Sequence, residues 1–254
     1  MKITRTIALA AAVASFSAAA PAFATTISFD GPVATAATQT AGAWYVDRAA
    51  PDSFTGGVNY GGRTGVLEVG IDGDDFQGAG SFYNTQGRKY DLEAGVTSMT
   101  IDLFIDQAFT TGDDRRIAGF WGTTFGGPDA PAYPIIELDR VGGDLVFRGW
   151  DNNGVFFDLA TLTAGDVGTW QTMKIELSGA NFKYTAGGAS ATTSAFGTSS
   201  IGNVILQAHN TGSDFTVHWD AFGTAVPEPQ TWGLMILGFG AAGSLLRRRR
   251  AVAA

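Results

Sequence analysis

The chain has 254 residues, of which 35 are glycine and none is cysteine, with 16 lysine and arginine against 24 aspartate and glutamate. The missing cysteines exclude a disulfide framework, thiol catalysis and cysteine metal sites, and 45% hydrophobic with 12% aromatic content excludes a wholly disordered chain. A formal net charge of −8 disfavours contact with a phosphate backbone, so nucleic acid is not an expected partner.

The chain opens with an export signal. Lys2 and Arg5 supply the positive start, Ile7 to Ala20 is an apolar and small-residue run broken only by Ser15 and Ser17, and Ala22-Phe23-Ala24 has the small-x-small form that signal peptidase reads. Residues 1–24 are therefore expected to be removed, leaving Thr25 as the first mature residue. An exported chain could form disulfides, and this one carries none, so its stability must rest on packing.

Residues 25–225 read as a single all-β domain. Val66–Ile71 is the first apolar β-rich run, followed by Met99, Ile101, Leu103 and Ile105 alternating with Thr100, Asp102, Phe104 and Asp106. Short runs follow at Ile117–Trp121, Ile135–Leu138, Leu145–Trp150 and Val155–Leu159. Gln171, Met173, Ile175 and Leu177 alternate with polar neighbours, and Phe182–Thr185 and Val204–Ala208 come next. Phe215, Val217, Trp219 and Ala221 then form a last alternating strand. Turn signals separate these runs at Asp72-Gly73, Gly142-Gly143-Asp144, Asp151-Asn152-Asn153-Gly154, Gly187-Gly188 and Asn210-Thr211-Gly212. No sustained helical period appears, and the small-residue stretch Ala186 to Ser200 reads as one long loop. Ten or more short strands predict a two-sheet sandwich of jelly-roll type.

The closing strands carry a resemblance. Trp170-Gln171-Thr172-Met173-Lys174-Ile175-Glu176-Leu177, then Asn181-Phe182-Lys183-Tyr184, then Ile205-Leu206-Gln207-Ala208-His209 and the final Phe215–Phe222 resemble the end of concanavalin A-like sandwiches. That superfamily includes lectins, glycoside hydrolases and non-catalytic surface modules, so the resemblance implies a fold and leaves activity open. Sandwich glycosidases need two closely spaced carboxylates, and one familiar arrangement is Glu-x-Asp-x-x-Glu on a strand. Here Glu137-Leu138-Asp139-Arg140-Val141-Gly142 supplies the first two acids and ends in glycine. The expected reading is an exposed strand face and no catalytic residue. No Gly-x-Ser-x-Gly elbow is present, and the two histidines, His209 and His218, sit in late strands. No cofactor is expected, although Asp72, Asp74 and Asp75 form an acidic turn whose hard oxygens could hold calcium.

Glycan binding is the other chemistry the body could supply, because sugar rings stack on aromatic faces. Trp44, Trp121 and Trp150 lie near strand ends or glycine-rich loops, beside Tyr45, Tyr133, Asp151 and Asn152, and are the candidate glycan-binding residues. Trp170 and Trp219 are assigned to the core.

Beyond the domain, residues 226–254 form a tail. Pro227-Glu228-Pro229 cannot continue a strand. Trp232 to Leu246 carries no charge, and Arg247, Arg248, Arg249 and Arg250 follow as a membrane stop. A fifteen-residue helix spans about 22 Å, short of the ~30 Å hydrocarbon core, but snorkelling arginines allow a single C-terminal transmembrane helix with its basic end in the cytoplasm. Pro227-Glu228-Pro229, Trp232, Gly238-Phe239-Gly240 and the arginines together resemble the PEP-CTERM sorting signal. The match is to its branch with tryptophan three residues after the second proline, with Gly233 where that branch usually has alanine.

The PEP-CTERM resemblance implies a Gram-negative precursor, anchored transiently in the inner membrane and processed by an exosortase, then placed at the cell surface or outside it in company with exopolysaccharide and biofilm matrix. Setting aside Lys2, Arg5, the four terminal arginines and Glu228 leaves 23 acidic and 10 basic side chains in residues 25–226, a net charge of −13. The expectation is thus an exported, non-catalytic surface or matrix protein. A carbohydrate-binding module is the alternative, and a glycoside hydrolase or lyase stands behind it.

Overall fold

The computed structural model describes residues 23–125 and 132–226. Ala22 and the export signal before it, Pro227-Glu228-Pro229, Trp232, the apolar tail and Arg247 to Arg250 lie outside the described residues.

Sixteen strands run in chain order among the described residues: β1 (Phe23–Thr26), β2 (Thr35–Ala36), β3 (Trp44–Val46), β4 (Ser53–Tyr60), β5 (Arg63–Ile71), β6 (Thr85–Asp91), β7 (Ser98–Phe104), β8 (Arg115–Phe125), β9 (Ile135–Val141), β10 (Asp144–Trp150), β11 (Phe156–Thr161), β12 (Trp170–Ser178), β13 (Asn181–Ala186), β14 (Ala189–Ser194), β15 (Ser200–His209) and β16 (Phe215–Ala225). Three single-turn 3-10 helices interrupt them, and no described helix is long and apolar enough to cross a membrane. The first sheet has the order β14-β13-β12-β7-β16-β5-β4, with β1 paired to the far end of β16. The second has the order β11-β10-β9-β8-β15-β6-β3-β2. Pairing is antiparallel throughout the named strands except between β2 and β3.

The two sheets close on one apolar core. On β7, Met99, Ile101 and Leu103 have no exposed surface, and their alternating neighbours Thr100, Asp102 and Phe104 are only partly buried on the outer face. Strand β15 shows no such alternation, because its side chains are buried on both faces from Ile201 to Ala208. Val204, Leu206 and Ala208 enter the sandwich core, whereas Asn203, Ile205 and Gln207 lie under side chains on the open face of the second sheet. A strand covered on both sides loses the period-two signal.

Three sequence expectations change. Ala186 to Ser200 is not one loop: Ala189–Ser194 pairs with β13 as an edge strand built of small residues, which carry no apolar alternation to read. In β16 the expected inward row ending at Ala221 is reset by a bulge between Asp220 and Gly223, where Ala221 has φ 52°; Phe222 enters the core and Ala221 is exposed. Trp170 is not a core residue. It lies half-buried on the outer face of the first sheet, where its Nε1 donates to the Gly61 carbonyl and Arg63 stacks 4.4 Å from its ring. Trp219 is in the core with no exposed surface, as its pattern predicts.

Candidate functional site

The open face of the second sheet is where chemistry-bearing side chains gather. Ile135, Glu137 and Asp139 alternate on β9 with the core residues Ile136 and Leu138 and point away from the sandwich interior. Across from them stand Trp121 and Gly119 on β8, paired with Ile135 and Glu137, and Arg148 on β10, paired with Glu137. Ile205 and Gln207 of β15 extend the row as partners of Trp121 and Gly119. Trp121, Ile135 and Ile205 form a small apolar cluster separate from the main core, with Trp150 and Phe156 packed against it.

Glu137 and Asp139 are not an exposed strand face. Glu137 has no exposed surface and Asp139 has 3%. The Trp121 indole Nε1 donates to Glu137 Oε1 at 3.1 Å, and the Gln207 amide donates to the same oxygen at 3.4 Å. Gly119 makes this closure possible: any Cβ there would collide with Gln207 Nε2 and the Trp121 indole nitrogen. Arg116 Nε approaches Glu137 Oε2 only to 3.5 Å, and that oxygen has no hydrogen-bond partner. Burial first, and the neighbouring Asp139 second, therefore hold the Glu137 carboxyl well above the ordinary glutamate range. Burial also raises Asp139, against the pull of Arg148, which reaches Asp139 at 3.3 Å and Asp158 at 3.0 Å.

The third position of the acidic pattern is a turn. Gly142 and Gly143 join β9 to β10 with φ 60° and 92°, a backbone that residues bearing a Cβ rarely adopt. Their amides donate to Asp114 at 2.5 and 3.0 Å. The strand thus reverses at Gly142, the position that ends the Glu-x-Asp-x-x-Glu arrangement.

Above the buried pair lies a groove of about 390 Å³. Trp121, Trp150 and Phe156 line it from the sheet, Tyr133 and Phe82 from its rim, and Arg48 and Arg116 complete it with Ile135. Phe82 is 63% and Tyr133 38% exposed, so both present ring surface to solvent. Asn152, in the αL conformation at φ 62°, accepts from the Tyr133 backbone amide at 2.6 Å and so ties the β10–β11 turn to the rim. Trp150 packs 4.7 Å from Phe156, while Arg48 sits 4.4 Å from the Trp121 ring centre and 4.6 Å from that of Phe82. A larger cavity of about 650 Å³ opens between Phe76, Asp113, His209 and Asp214. Two of its acids are already engaged by backbone amides, Asp114 at the glycine turn and Asp214 at Gly73, and it lacks an aromatic row.

Two of the three candidate glycan-binding tryptophans, Trp121 and Trp150, come together in the groove; Trp44 does not. Trp44 is 1% exposed in the core between Phe54 and Tyr90, because β3 turns it inward against the other sheet. Tyr45, on the opposite face, instead donates to Asp91 at 2.7 Å. Phe82, Arg48 and Arg116 were not singled out by sequence, and only the topology brings their three segments together. The acidic turn does not converge on a cation site: Asp72 Oδ1 caps the Asp74 amide at 2.8 Å, and Asp74 and Asp75 face solvent. Among the described residues, no group of three or more acidic or histidine side chains could hold a metal ion. His209 and His218 belong to different sheets; His218 is sealed by the stacked Tyr60 ring at 3.5 Å.

Residues 225–250 match the PEP-CTERM protein-sorting motif, which marks an exported, membrane-processed protein. No curated protein matches the chain in sequence. Among solved structures, the laminarinase catalytic domain from Thermotoga maritima MSB8 is similar at 10% identity, with 82% of this chain covering 99% of that one at a TM-score of 0.54. A mutant of SCLam, a non-specific endo-beta-1,3(4)-glucanase from family GH16, is similar at 12% identity, with 81% covering 94% at a TM-score of 0.50. The body shares the two-sheet jelly-roll sandwich fold of these structures.

Proposed function

We propose that this chain is an exported, non-catalytic protein of the cell surface or extracellular matrix, released from the membrane by an exosortase at Pro227-Glu228-Pro229, whose sandwich holds polysaccharide in the groove of its second sheet. The observation that carries the reading is the state of Glu137. A glycosidase nucleophile must meet the anomeric carbon, with a second carboxyl at about 5–9.5 Å; Glu137 has no exposed surface, and its pattern ends at a glycine turn. The aromatic groove directly above supplies what binding without hydrolysis requires: ring faces for stacking and guanidinium donors for hydroxyl or charged substituents.

The competing reading is a glycoside hydrolase or lyase, supported by the pair Glu137 and Asp139 standing on the open face of a sandwich shared with glucanases. Full-length chain in detergent, applied to a polysaccharide array and assayed for reducing-end release, separates the two. Binding without release supports the module. Release by the wild type that Glu137→Gln abolishes would establish the enzyme.

A further inference from the structure

The groove is a basic site in an acidic domain. Among the described residues its lining holds Arg48 and Arg116 and no carboxylate, although residues 25–226 carry 23 acids against 10 bases. Arg116 is 42% exposed along its side chain and stands 5.2 Å from the Phe156 ring centre, with Arg148 5.5 Å from the same ring. A guanidinium resting on a ring is positioned and partly desolvated while its N–H edge stays free for a planar anion.

The acids nearby do not cancel these charges. Asp47 is shared between Arg48 and Lys89, and Asp139 and Asp158 are both taken by Arg148. Arg116 approaches Glu137, whose carboxyl burial holds above the ordinary glutamate range, and stands opposite Asp139 on the paired strand, an acid that Arg148 already engages. The net charge of the domain does not forbid an anionic ligand, because screening at physiological salt confines each charge to about 8 Å. Resting on the groove reading above, we propose that the ligand is a carboxylated polysaccharide, a uronate chain whose ring stacks on Trp150 and Phe156 while its carboxylate is held by Arg116.

The test uses full-length chain in detergent and uronate oligosaccharides of three ring stereochemistries (galacturonate, guluronate and glucuronate), each beside its carboxyl-reduced neutral counterpart. At least one uronate should bind about tenfold or more tighter than its reduced form, and the advantage should shrink between 50 and 500 mM salt. Arg116→Gln should erase that advantage, so that acidic and reduced forms bind equally; Trp150→Ala should weaken both. Equal binding of acidic and reduced forms, still dependent on Trp150, overturns the uronate proposal and leaves the groove reading standing. Uronate binding indifferent to Trp150→Ala, or no binding by any sugar, overturns both.

Discussion

Trp121 Nε1 donates to Glu137 Oε1 at 3.1 Å across the β8–β9 pair, and that bond closes an aromatic groove over a carboxyl with no exposed surface. The glutamate thus anchors Trp121, one of the aromatic side chains that line the groove with Arg48 and Arg116.

The first prediction follows from the raised Glu137 carboxyl. In the unfolded chain this group loses its proton near the ordinary glutamate value, while in the fold it keeps it to higher pH. Between those values the native state binds more protons, so stability falls as pH rises through the window and levels off above it. Glu137→Gln removes this loss. The difference in Tm, variant minus wild type, should grow by roughly 3–8 °C between pH 5 and pH 8. The two histidines lie in both proteins and cancel in the difference. A difference that stays flat with pH would show the carboxyl to be ionised throughout.

Gly119 is expected to tolerate no side chain. Gly119→Ala forces Gln207 and the Trp121 indole apart, so it should cost about 1–3 kcal/mol in denaturant unfolding. It should also change the tryptophan fluorescence of the folded state, as the Trp121–Glu137 bond is pushed out of reach.

The tryptophans should divide by location. Trp44→Ala removes a fully packed core ring and should destabilise the domain by about 3–5 kcal/mol. Trp150→Ala takes away a half-buried groove ring, so it should leave most of the stability and weaken polysaccharide affinity about tenfold. Unfolding curves and binding titrations on the same pair of variants check this; equal loss of stability in both would place Trp150 in the core's role.

For the tail, intact-mass measurement on surface or secreted material from the native host should find the chain ending near Pro227 and lacking residues 230–254. Replacing Pro227-Glu228-Pro229 by alanines should leave an uncleaved form in the inner membrane. Arg247 to Arg250 still attached to exported protein would make the tail a permanent anchor.

What the sequence determined by itself was whatever is written in local order. The period of two in Met99–Ile105 and in Gln171–Leu177 is the physical requirement of a strand buried on one face, so those strands and the all-β class were legible without coordinates. The sorting motif at 225–250 is a linear signal and needs no fold to be read. Tertiary structure alone decided which residues share a surface. Trp44 and Trp150 look alike in sequence, yet β3 turns one into the core and β10 turns the other toward the groove. Glu137 and Asp139 read as exposed acids because alternation marks only which side of a strand a residue takes. Whether that side meets water depends on Trp121, Gln207, Arg116 and Arg148, which come from three other strands. Side-chain burial is a property of pairs distant in sequence, and a single strand carries no record of what will lie across it.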